Sequence, residues 1–358
     1  MIPRWLTNCL PSNSSGIPAI WLVIFASVLS VISCDNNNSS GSLILNGFTM
    51  GTAYTVKINE PHTRIDPLLT KKAIDSLLHD LNKKMSTYLA DSELSRINQS
   101  QTTDWIIISD DLYEVIKQAI NIHNLSEGTF DITIGPLVNL WGFGPDKKPA
   151  SIPDDQQIQI LLHSTGTNKI HLNDIPRAIK KDRTNIYIDL SGIAKGYAVD
   201  RVAGLLQQQF AIQNYLIEIG GEIRAKGVNP DNQPWRIGIE KPISYQRSVE
   251  RIINLDNTSM ATSGDYRNYF EENGIYYSHI IDPRDGKPVN HKLASVTVLH
   301  SESMIADAWA TALQVLGPES GMELANRFEM PVYFIIKTES GFSEIMSDSF
   351  RQYINRIE

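Results

Sequence analysis

The chain has 358 residues, of which 42% are hydrophobic and 20% charged, which is enough for one large or two ordinary globular domains. Its net charge of −8 argues against nucleic acid as a partner. Six Trp, thirteen Tyr and ten Phe exclude a solvated, disordered chain.

The N-terminal segment is apolar and differs from the rest of the chain. Residues Ile17–Ile32 carry no charge, and this run is short for a membrane span but typical of the core of a signal peptide. It ends at the sequence VISC, which resembles the lipobox of bacterial lipoproteins. The resemblance implies that residues 1–33 are removed, that Cys34 carries lipid, and that residues 34–42 form a polar tether before a folded domain over residues 43–358. An ordinary signal peptide or an uncleaved anchor is the alternative.

The cysteines and the residue after Cys34 extend this prediction. Cys9 would leave with the signal peptide, so the mature chain would keep one cysteine, which would carry lipid. The folded part would then contain neither a disulfide nor a cysteine-based metal site. Asp35 resembles an inner-membrane retention signal of bacteria with two membranes. This predicts a lipid anchor on the periplasmic side of the inner membrane.

The first half of the folded sequence shows both strand and helix patterns. Thr52–Ile58 alternates like a half-buried strand. Asp66–Lys83 carries apolar residues at helical spacing, and Ser109 can cap a second helix over Asp110–Leu125. The segment Trp141–Asp155 is rich in Gly and Pro, which predicts a long loop between two lobes.

The second half contains most of the predicted strands. A strand over Ile186–Leu190 leads into an amphipathic helix, and further helices are predicted over Met304–Leu316 and Ser320–Phe328. Other strand patterns occur at residues 215–227, 235–242, 249–255, 259–264, 275–282, 294–300 and 332–338. Because helices and strands mix without a regular βαβ alternation, the sequence favours an α+β fold over a doubly wound sheet.

The stretch Ile186–Leu206 has features of a phosphate site. A strand, a turn with Gly192 and Gly196, and a helix start bring free backbone N–H groups to the positive end of a helix dipole. Lys195 adds a full positive charge. However, the glycine spacing matches neither the dinucleotide fingerprint nor the P-loop. A plain turn with a solvated Lys195 therefore stays open.

A second stretch, Ser301–Gly317, places Asp307 and Thr311 four residues apart on one face of a predicted helix. Carboxylate and hydroxyl oxygens suit Mg²⁺, which takes few protein ligands and completes its shell with water and phosphate oxygens. In the alternative, Asp307 interacts with the N-terminus of its own helix and Thr311 bonds back to a carbonyl. The sequence shows no His-rich or Cys-rich spacing that would support zinc.

Two further stretches combine polar residues with turns. In Tyr276–Asn290 the sequence DPRDG predicts a tight turn, and His279, placed on the strand before it, could accept a proton from a hydroxyl nucleophile. In Gly128–Pro145, Asp131 lies near glycines and a Trp-Gly-Phe sequence, which indicates backbone approached closely by a flat ligand or another chain segment. A core histidine and core aromatic rings are the alternatives.

Taken in order, these motifs resemble the ApbE family of FAD:protein FMN transferases. They read MGT, MSTY…SELSRIN, GTFDITIGPLVNLWGFGP, DLSGIAKGYAVD, IGGEIRAKG, ATSGDYRNY, HIIDPRDGKPV and ADAWATAL, over about Asn46–Gly317. The resemblance implies two mixed α/β lobes around a central FAD and metal site. It implies Mg²⁺-dependent transfer of FMN from FAD to a Thr or Ser hydroxyl through a phosphodiester bond, with release of AMP. The implied acceptors are flavin-carrying subunits of membrane electron-transfer complexes, such as sodium-pumping quinone reductases.

The resemblance also implies roles for individual residues. The metal ligands would be the Gly192 carbonyl, Asp307 and Thr311. Lys195 and Asp189 would contact FAD, and Lys195 would also stabilise the departing AMP. The other FAD-contacting positions match Met50, Tyr88, Thr129, Phe130, Asp131 and Ile281. His279 matches the histidine of the HIIDP motif, and we infer that His279, or else an aspartate, is the base for the acceptor hydroxyl.

Two positions depart from the family pattern, and other functions stay open. Asp285 stands where many members have Thr, and Ser191 stands where Gly is common. One alternative is a Mg²⁺-dependent FAD pyrophosphatase, in which water replaces the protein hydroxyl. Another is a flavin-binding lipoprotein without turnover, against which the presence of both Asp307 and Thr311 argues. A solute-binding lipoprotein is disfavoured because two similar βαβ lobes are not predicted.

Overall fold

The computed structural model describes residues 42–144, 152–243, 248–265, 269–272 and 275–354. The predicted signal peptide, Cys34 and nearly all of the tether lie outside these ranges, as do residues 145–151 of the predicted loop. Residues Ser40–Glu358 form one compact unit. The two lobes expected on either side of the Trp141–Asp155 segment therefore lie within one unit. Within the described ranges, no helix is both long and apolar enough to span a membrane.

The strands of this unit are short and numerous. They are β1 Ser42–Thr49, β2 Thr52–Asn59, β3 Ile106–Ile107, β4 Ile170–Asp174, β5 Arg177–Lys181, β6 Tyr215–Ile219, β7 Glu222–Lys226, β8 Trp235–Glu240, β9 Val249–Leu255, β10 Thr258–Gly264, β11 Tyr269–Glu272, β12 Ile275–Ser278, β13 Leu293–His300, β14 Val332–Thr338 and β15 Gly341–Met346. The helices are α1 Pro67–Met85, α2 Glu93–Gln99, α3 Asp110–Leu125, α4 Gly135–Leu140, α5 Asp155–Leu162, α6 Ala194–Phe210, α7 Ser303–Leu316 and α8 Pro318–Arg327.

An antiparallel sheet organises the fold. Its strand order is β1-β2-β6-β7-β10-β13-β14-β15. Smaller sheets have the orders β3-β5-β4, β8-β9 and β11-β12. Helices thus interrupt an antiparallel sheet without building parallel βαβ units, so the predicted α+β class is confirmed.

The large sheet is buried on both faces because its apolar residues alternate. On β14, Val332 and Phe334 join the main core with residues of α1, α3, α6 and α7. Their neighbours Tyr333 and Ile335 point the other way, into a second core that β8 and β9 cover. Helices α6 and α7 therefore lie side by side on one face of the sheet, against β6, β7, β10 and β13.

Local signals set several helix boundaries as predicted. Asp66 accepts hydrogen bonds from the N–H groups of Leu68 and Leu69 at the start of α1. The Ser109 hydroxyl accepts one from Leu112 N–H, and α3 runs over the predicted residues. These two predictions are confirmed because each depends on a cap and an apolar stripe that are local in sequence.

The DPRDG turn packs on the segment before residue 145. Trp141 Nε1 donates to the Gly286 carbonyl over 2.8 Å, and Gly286 adopts a φ of 73°, which favours glycine. Leu137, Ile158 and Ile281 complete a small apolar cluster around Trp141. Trp141 is thus a core side chain, as the alternative interpretation held.

Candidate active site

The segment before the Gly192 turn belongs to no strand of the described residues. The predicted strand Ile186–Leu190 is therefore wrong. The Asn98 side chain brackets Ile188, donating to its carbonyl and accepting from its N–H, each over 2.8 Å. Asp189 N–H donates to the Ile132 carbonyl over 2.7 Å. These partners satisfy backbone groups that a neighbouring strand would otherwise pair.

Helix α6 starts immediately after the turn, with a cap that comes from another helix. Its N-cap residue, Ile193, has no side chain able to accept a hydrogen bond. Instead, Asp307 of α7 accepts a hydrogen bond from Gly196 N–H through Oδ2, over 3.0 Å. A carboxylate at this position satisfies a free N–H and faces the positive end of the helix dipole. Asp307 therefore stabilises a neighbouring helix rather than its own.

Lys195 lies between two buried carboxylates. Its Nζ is 3.1 Å from Oε1 of Glu222 and 3.7 Å from Oδ1 of Asp307. Both acidic residues are only 4% exposed. Glu222 lies in the motif IGGEIRAKG, but its residue pattern predicts no role for it. A glutamate directly after a Gly-Gly turn was the available signal, but nothing local indicated that it would meet Lys195.

Burial has the largest effect on the pKa values of Lys195, Glu222 and Asp307, which together are called the trio below. Burial raises the pKa of both Asp307 and Glu222 above the usual range, and the positive charge of Lys195 opposes that shift. Burial lowers the pKa of Lys195, but Asp307 and Glu222 together raise it above its ordinary value. One ammonium cannot neutralise two buried carboxylates. With both carboxylates ionised the trio carries one negative charge in excess, which either a proton on a carboxylate or an added cation would neutralise.

Helices α6 and α7 approach each other closely at this point. A Cβ on Gly196 would lie 2.3 Å from the Ser303 carbonyl oxygen, so only glycine fits. Asp200, one turn further along α6, accepts from the N–H groups of Ser303 and Met304 over 3.0 and 2.9 Å and so caps α7. Arg224 of β7 forms an ion pair with Asp200. Each helix thus caps the other, which holds Lys195 and Asp307 in register.

The predicted metal ligands come from one helix, α7, and from the turn before α6. A Cβ placed on Gly192 would lie 3.2 Å from Thr311 Oγ1 and 3.3 Å from the ring of Phe130. Thr311 lies one helical turn after Asp307 on α7. Within the described residues the Thr311 hydroxyl makes no hydrogen bond, so it is not bonded back to its own helix. A carbonyl, a carboxylate and a hydroxyl meet here, and hard oxygen ligands of this kind fit Mg²⁺.

This donor set is poor in charged ligands. Among the described residues, no group of three or more His, Cys, Asp or Glu side chains could hold a metal ion. A cation held by Asp307, Thr311 and Gly192 would thus keep open positions for water and phosphate oxygens. The arrangement suits a metal shared with a bound pyrophosphate rather than a closed structural site.

The predicted FAD-contacting residues fall into exposed and buried groups. Met50 lies in the β1–β2 turn with a φ of 49°, and Tyr88 is 79% exposed. Thr129 and Phe130 are buried, and Phe130 faces Gly192. Asp189 accepts from Ser191 N–H over 2.8 Å and so shapes the turn. Phe130 and Asp189 therefore lie at the Gly192 turn.

Asp131 has a structural role in the described chain. Its Oδ1 accepts from the N–H and hydroxyl of Thr133 and from the hydroxyl of Thr167, and its Oδ2 accepts from Thr167 N–H. Asp131 also lines a cavity of about 510 Å³ that carries Lys169, Arg183 and Arg284. Two of its basic side chains already have partners, because Lys169 donates to the His163 carbonyl and Arg284 pairs with Asp282.

His279 lies after β12 rather than on it, because that strand ends at Ser278. The predicted strand position of His279 is therefore wrong. Its ring contacts Phe143 edge-on, with the centroids 6.2 Å apart. Phe143 packs on the apolar cluster that contains Ile281, the remaining predicted FAD-contacting residue, which is buried. His279 and Ile281 thus lie next to the DPRDG turn, as their spacing in sequence requires.

Comparisons with known proteins agree on one family. The model of the ApbE family matches residues 50–334. The FAD:protein FMN transferase of Vibrio cholerae is 46% identical over 336 residues, which cover 94% of this chain and 99% of the relative. The FAD:protein FMN transferase of Haemophilus influenzae is 46% identical over 343 residues, covering 94% and 97%. A solved structure, the flavin transferase ApbE from Vibrio cholerae, superposes with a TM-score of 0.81 at 46% identity and covers 87% of this chain and 99% of its own.

Proposed function

Because this chain belongs to the ApbE family and is an FAD:protein FMN transferase, we propose that it uses Mg²⁺ to transfer FMN to a Thr or Ser hydroxyl. In this reaction the acceptor oxygen bonds to the phosphorus of the FMN half of FAD. The bond from that phosphorus to the oxygen bridging to AMP breaks, and AMP leaves with that oxygen. The hydroxyl proton passes to a base, and the product is a phosphodiester.

The observation that carries this proposal is the meeting of Gly192, Asp307 and Thr311 beside Lys195. These residues would hold Mg²⁺ through a carbonyl, a carboxylate and a hydroxyl oxygen. When bound, the ion neutralises charge on the pyrophosphate and on the departing AMP. Three protein ligands would leave the remaining positions of an octahedral shell for water and the phosphate oxygens of FAD.

The chain's own groups supply the remaining functions. Lys195 is a fixed positive charge in a buried setting, where it stabilises developing negative charge more strongly than in water. Asp307 keeps the start of α6 in place, and with it the turn that faces the pyrophosphate. His279 is proposed as the base for the acceptor hydroxyl, a role typically worth about 10²–10⁴-fold in rate. Met50, Tyr88, Thr129, Phe130, Asp131, Asp189 and Ile281 are proposed to contact FAD.

We further propose that the protein is a lipoprotein attached through Cys34 to the periplasmic face of the bacterial inner membrane. The apolar run Ile17–Ile32, the lipobox-like sequence before Cys34 and the following Asp35 support this proposal. Its acceptors would be flavin-carrying subunits of membrane electron-transfer complexes, such as sodium-pumping quinone reductases. A lipid tether would keep the enzyme at the membrane where these subunits reside.

The test uses the purified full chain in detergent with FAD, MgCl₂ and an acceptor subunit that presents a threonine. Intact-mass spectrometry follows the acceptor, and chromatography follows FMN and AMP. We expect one added FMN per acceptor with equimolar AMP, and loss of both on adding EDTA. Thr311→Val should raise the Mg²⁺ concentration for half-maximal rate by about tenfold, or about 1.4 kcal/mol. Thr338→Val, at an exposed strand end, is the matched control and should change nothing.

Other outcomes have distinct meanings. Free FMN and AMP with an unmodified acceptor would indicate the FAD pyrophosphatase instead. Transfer that persists in EDTA, or an unchanged Mg²⁺ requirement in Thr311→Val, would contradict the metal site. Intact FAD with a competent acceptor would contradict the enzymatic function of this chain.

A further inference from the structure

Glu222 is a buried carboxylate at the centre of the site that the proposed chemistry has not used. It is the first residue of β7 and follows the Gly220–Gly221 turn, whose φ values are 61° and 104°. Its Oε1 is 3.1 Å from Lys195 Nζ. Its Oε2 is buried and has no hydrogen-bond partner among the described residues. A half-satisfied, buried carboxylate is unfavourable for folding, so its presence points to a functional role.

If Asp307 were the only anionic partner of Lys195, the lysine and a bound metal ion would compete for the same carboxylate. A divalent cation on Asp307 would withdraw negative charge from the same carboxylate that attracts the ammonium. Two cations that depend on one carboxylate compete for it. Because Glu222 is closer to Lys195 than Asp307 is, it can hold the ammonium while Asp307 ligates the ion.

We propose that Glu222 is a positioning residue that keeps Lys195 at the pyrophosphate site when Asp307 binds a metal ion. This inference rests on the proposed function, since it assigns Asp307 to the metal. It separates the two tasks of the trio: Asp307 is a metal ligand, and Glu222 is the counter-charge of the lysine.

The surrounding structure fixes the positions of Glu222 and Lys195. Glu222 pairs with Ile219 of β6, and β7 pairs with β10 from Ile223 onward, so the strand that begins at Glu222 is held on both edges. The Lys195 side chain runs against the glycine turn: a Cβ on Gly220 would lie 3.4 Å from Lys195 Cδ and 2.8 Å from Thr52. Two residues after Glu222, Arg224 pairs with Asp200 of α6. β7 therefore contacts α6 at two points, and the Glu222–Lys195 distance is set by the fold rather than by mobile side chains.

The test measures binding of Mn²⁺ alone, without FAD, by electron paramagnetic resonance. It compares wild type, Glu222→Gln, Lys195→Met and the double variant. In Glu222→Gln the lysine has only Asp307 as an anionic partner, so we expect Mn²⁺ affinity to fall about tenfold. In the Lys195→Met background the lysine no longer competes, so adding Glu222→Gln should change the affinity less than twofold. An equal loss in both backgrounds would overturn the proposal, because Glu222 would then act on the metal directly.

A kinetic readout complements the metal binding. At saturating Mn²⁺, Glu222→Gln should lower kcat for FMN transfer at least tenfold with little change in KM for FAD, and Glu222→Asp should recover part of the loss. Thermal unfolding must show that each variant is folded, and the neutral Glu222→Met replaces Glu222→Gln in the binding test if the latter is not. An unchanged kcat in folded Glu222→Gln would also overturn the proposal. Absence of FMN transfer by the wild type would contradict the proposed function instead, and the Mn²⁺ comparison would still decide the role of Glu222.

Discussion

Replacing Gly196 by alanine tests whether the close approach of α6 and α7 holds the site together. The added Cβ would lie 2.3 Å from the Ser303 carbonyl oxygen, 2.6 Å from the Ser303 carbonyl carbon and 2.7 Å from Met304 Cα. All three atoms belong to the backbone of α7, so no side-chain rotation can relieve the clash. Ordinary contact begins at 3.4 Å, so the helices must separate by about 1 Å locally.

The size of the effect follows from this displacement. Overpacking of this kind typically destabilises a protein by about 1–3 kcal/mol. The higher helix propensity of alanine recovers up to about 1 kcal/mol. The same movement lengthens the 3.0 Å hydrogen bond from Gly196 N–H to Asp307. Since a shift of about 1 Å in a reacting group can cost about 10²-fold in rate, we expect transfer to slow by about that factor while the protein stays folded.

The assay pairs urea unfolding with the rate of FMN transfer. Gly204 provides a matched control on the same helix, because a Cβ there meets no heavy atom within 4 Å. Gly204→Ala should therefore keep the wild-type rate and gain about 0.5–1 kcal/mol of stability. If Gly196→Ala behaved like Gly204→Ala in both measurements, the close packing of the two helices would not be what positions the site.

Two further predictions concern polar groups that connect distant elements. His291 Nε2–H donates to the Gln314 carbonyl over 2.9 Å, and Nδ1 accepts from Leu293 N–H over 3.3 Å, so the ring is neutral in the folded protein. Burial lowers the pKa of His291. Below about pH 6.5 the unfolded chain binds a proton at His291 that the folded chain does not, so the free energy of unfolding should fall as the pH falls. His291→Gln should reduce this pH dependence of stability in urea titrations. An equal pH dependence in the variant would contradict a neutral, buried His291. Lys181 Nζ donates to the carbonyls of Ile97, Thr184 and Ile186, so Lys181→Met should destabilise the fold by about 2–4 kcal/mol. The exposed control Lys72→Met should change the free energy of unfolding by no more than about 0.5 kcal/mol. Similar losses in the two variants would refute a stabilising role of the three hydrogen bonds.

The elements that sequence predicted well carry their signals locally. α3 has an apolar stripe and a serine cap within its own first turn, and α7 is an apolar helix that ends at Gly317. The family was also evident from ordered motifs, and the comparisons confirm it. In each case neighbouring residues contain the needed information, so tertiary context adds little.

The two wrong predictions have different causes. The branched residues of Ile186–Leu190 have strand propensity, yet their backbone partners are the Asn98 side chain and the Ile132 carbonyl. Strand propensity shows that a segment fits an extended conformation but does not identify the partner of its N–H and C=O groups. The strand pattern predicts residues 275–282, but β12 ends at Ser278, one residue before His279, which is the usual uncertainty of an element boundary.

The sequence by itself determined the α+β class, the family and the helix face that carries Asp307 and Thr311, because periodicity and motif order are local properties. Only the tertiary structure decided that Asp307 caps α6 instead of its own helix, across 111 residues of chain. Only the tertiary structure, too, shows that Glu222 lies beside Lys195 and that the Gly192 turn lies beside Thr311. The physical reason is that hydrophobic patterns specify which faces are buried, whereas the packing of α6, α7 and β7 specifies which buried polar groups meet.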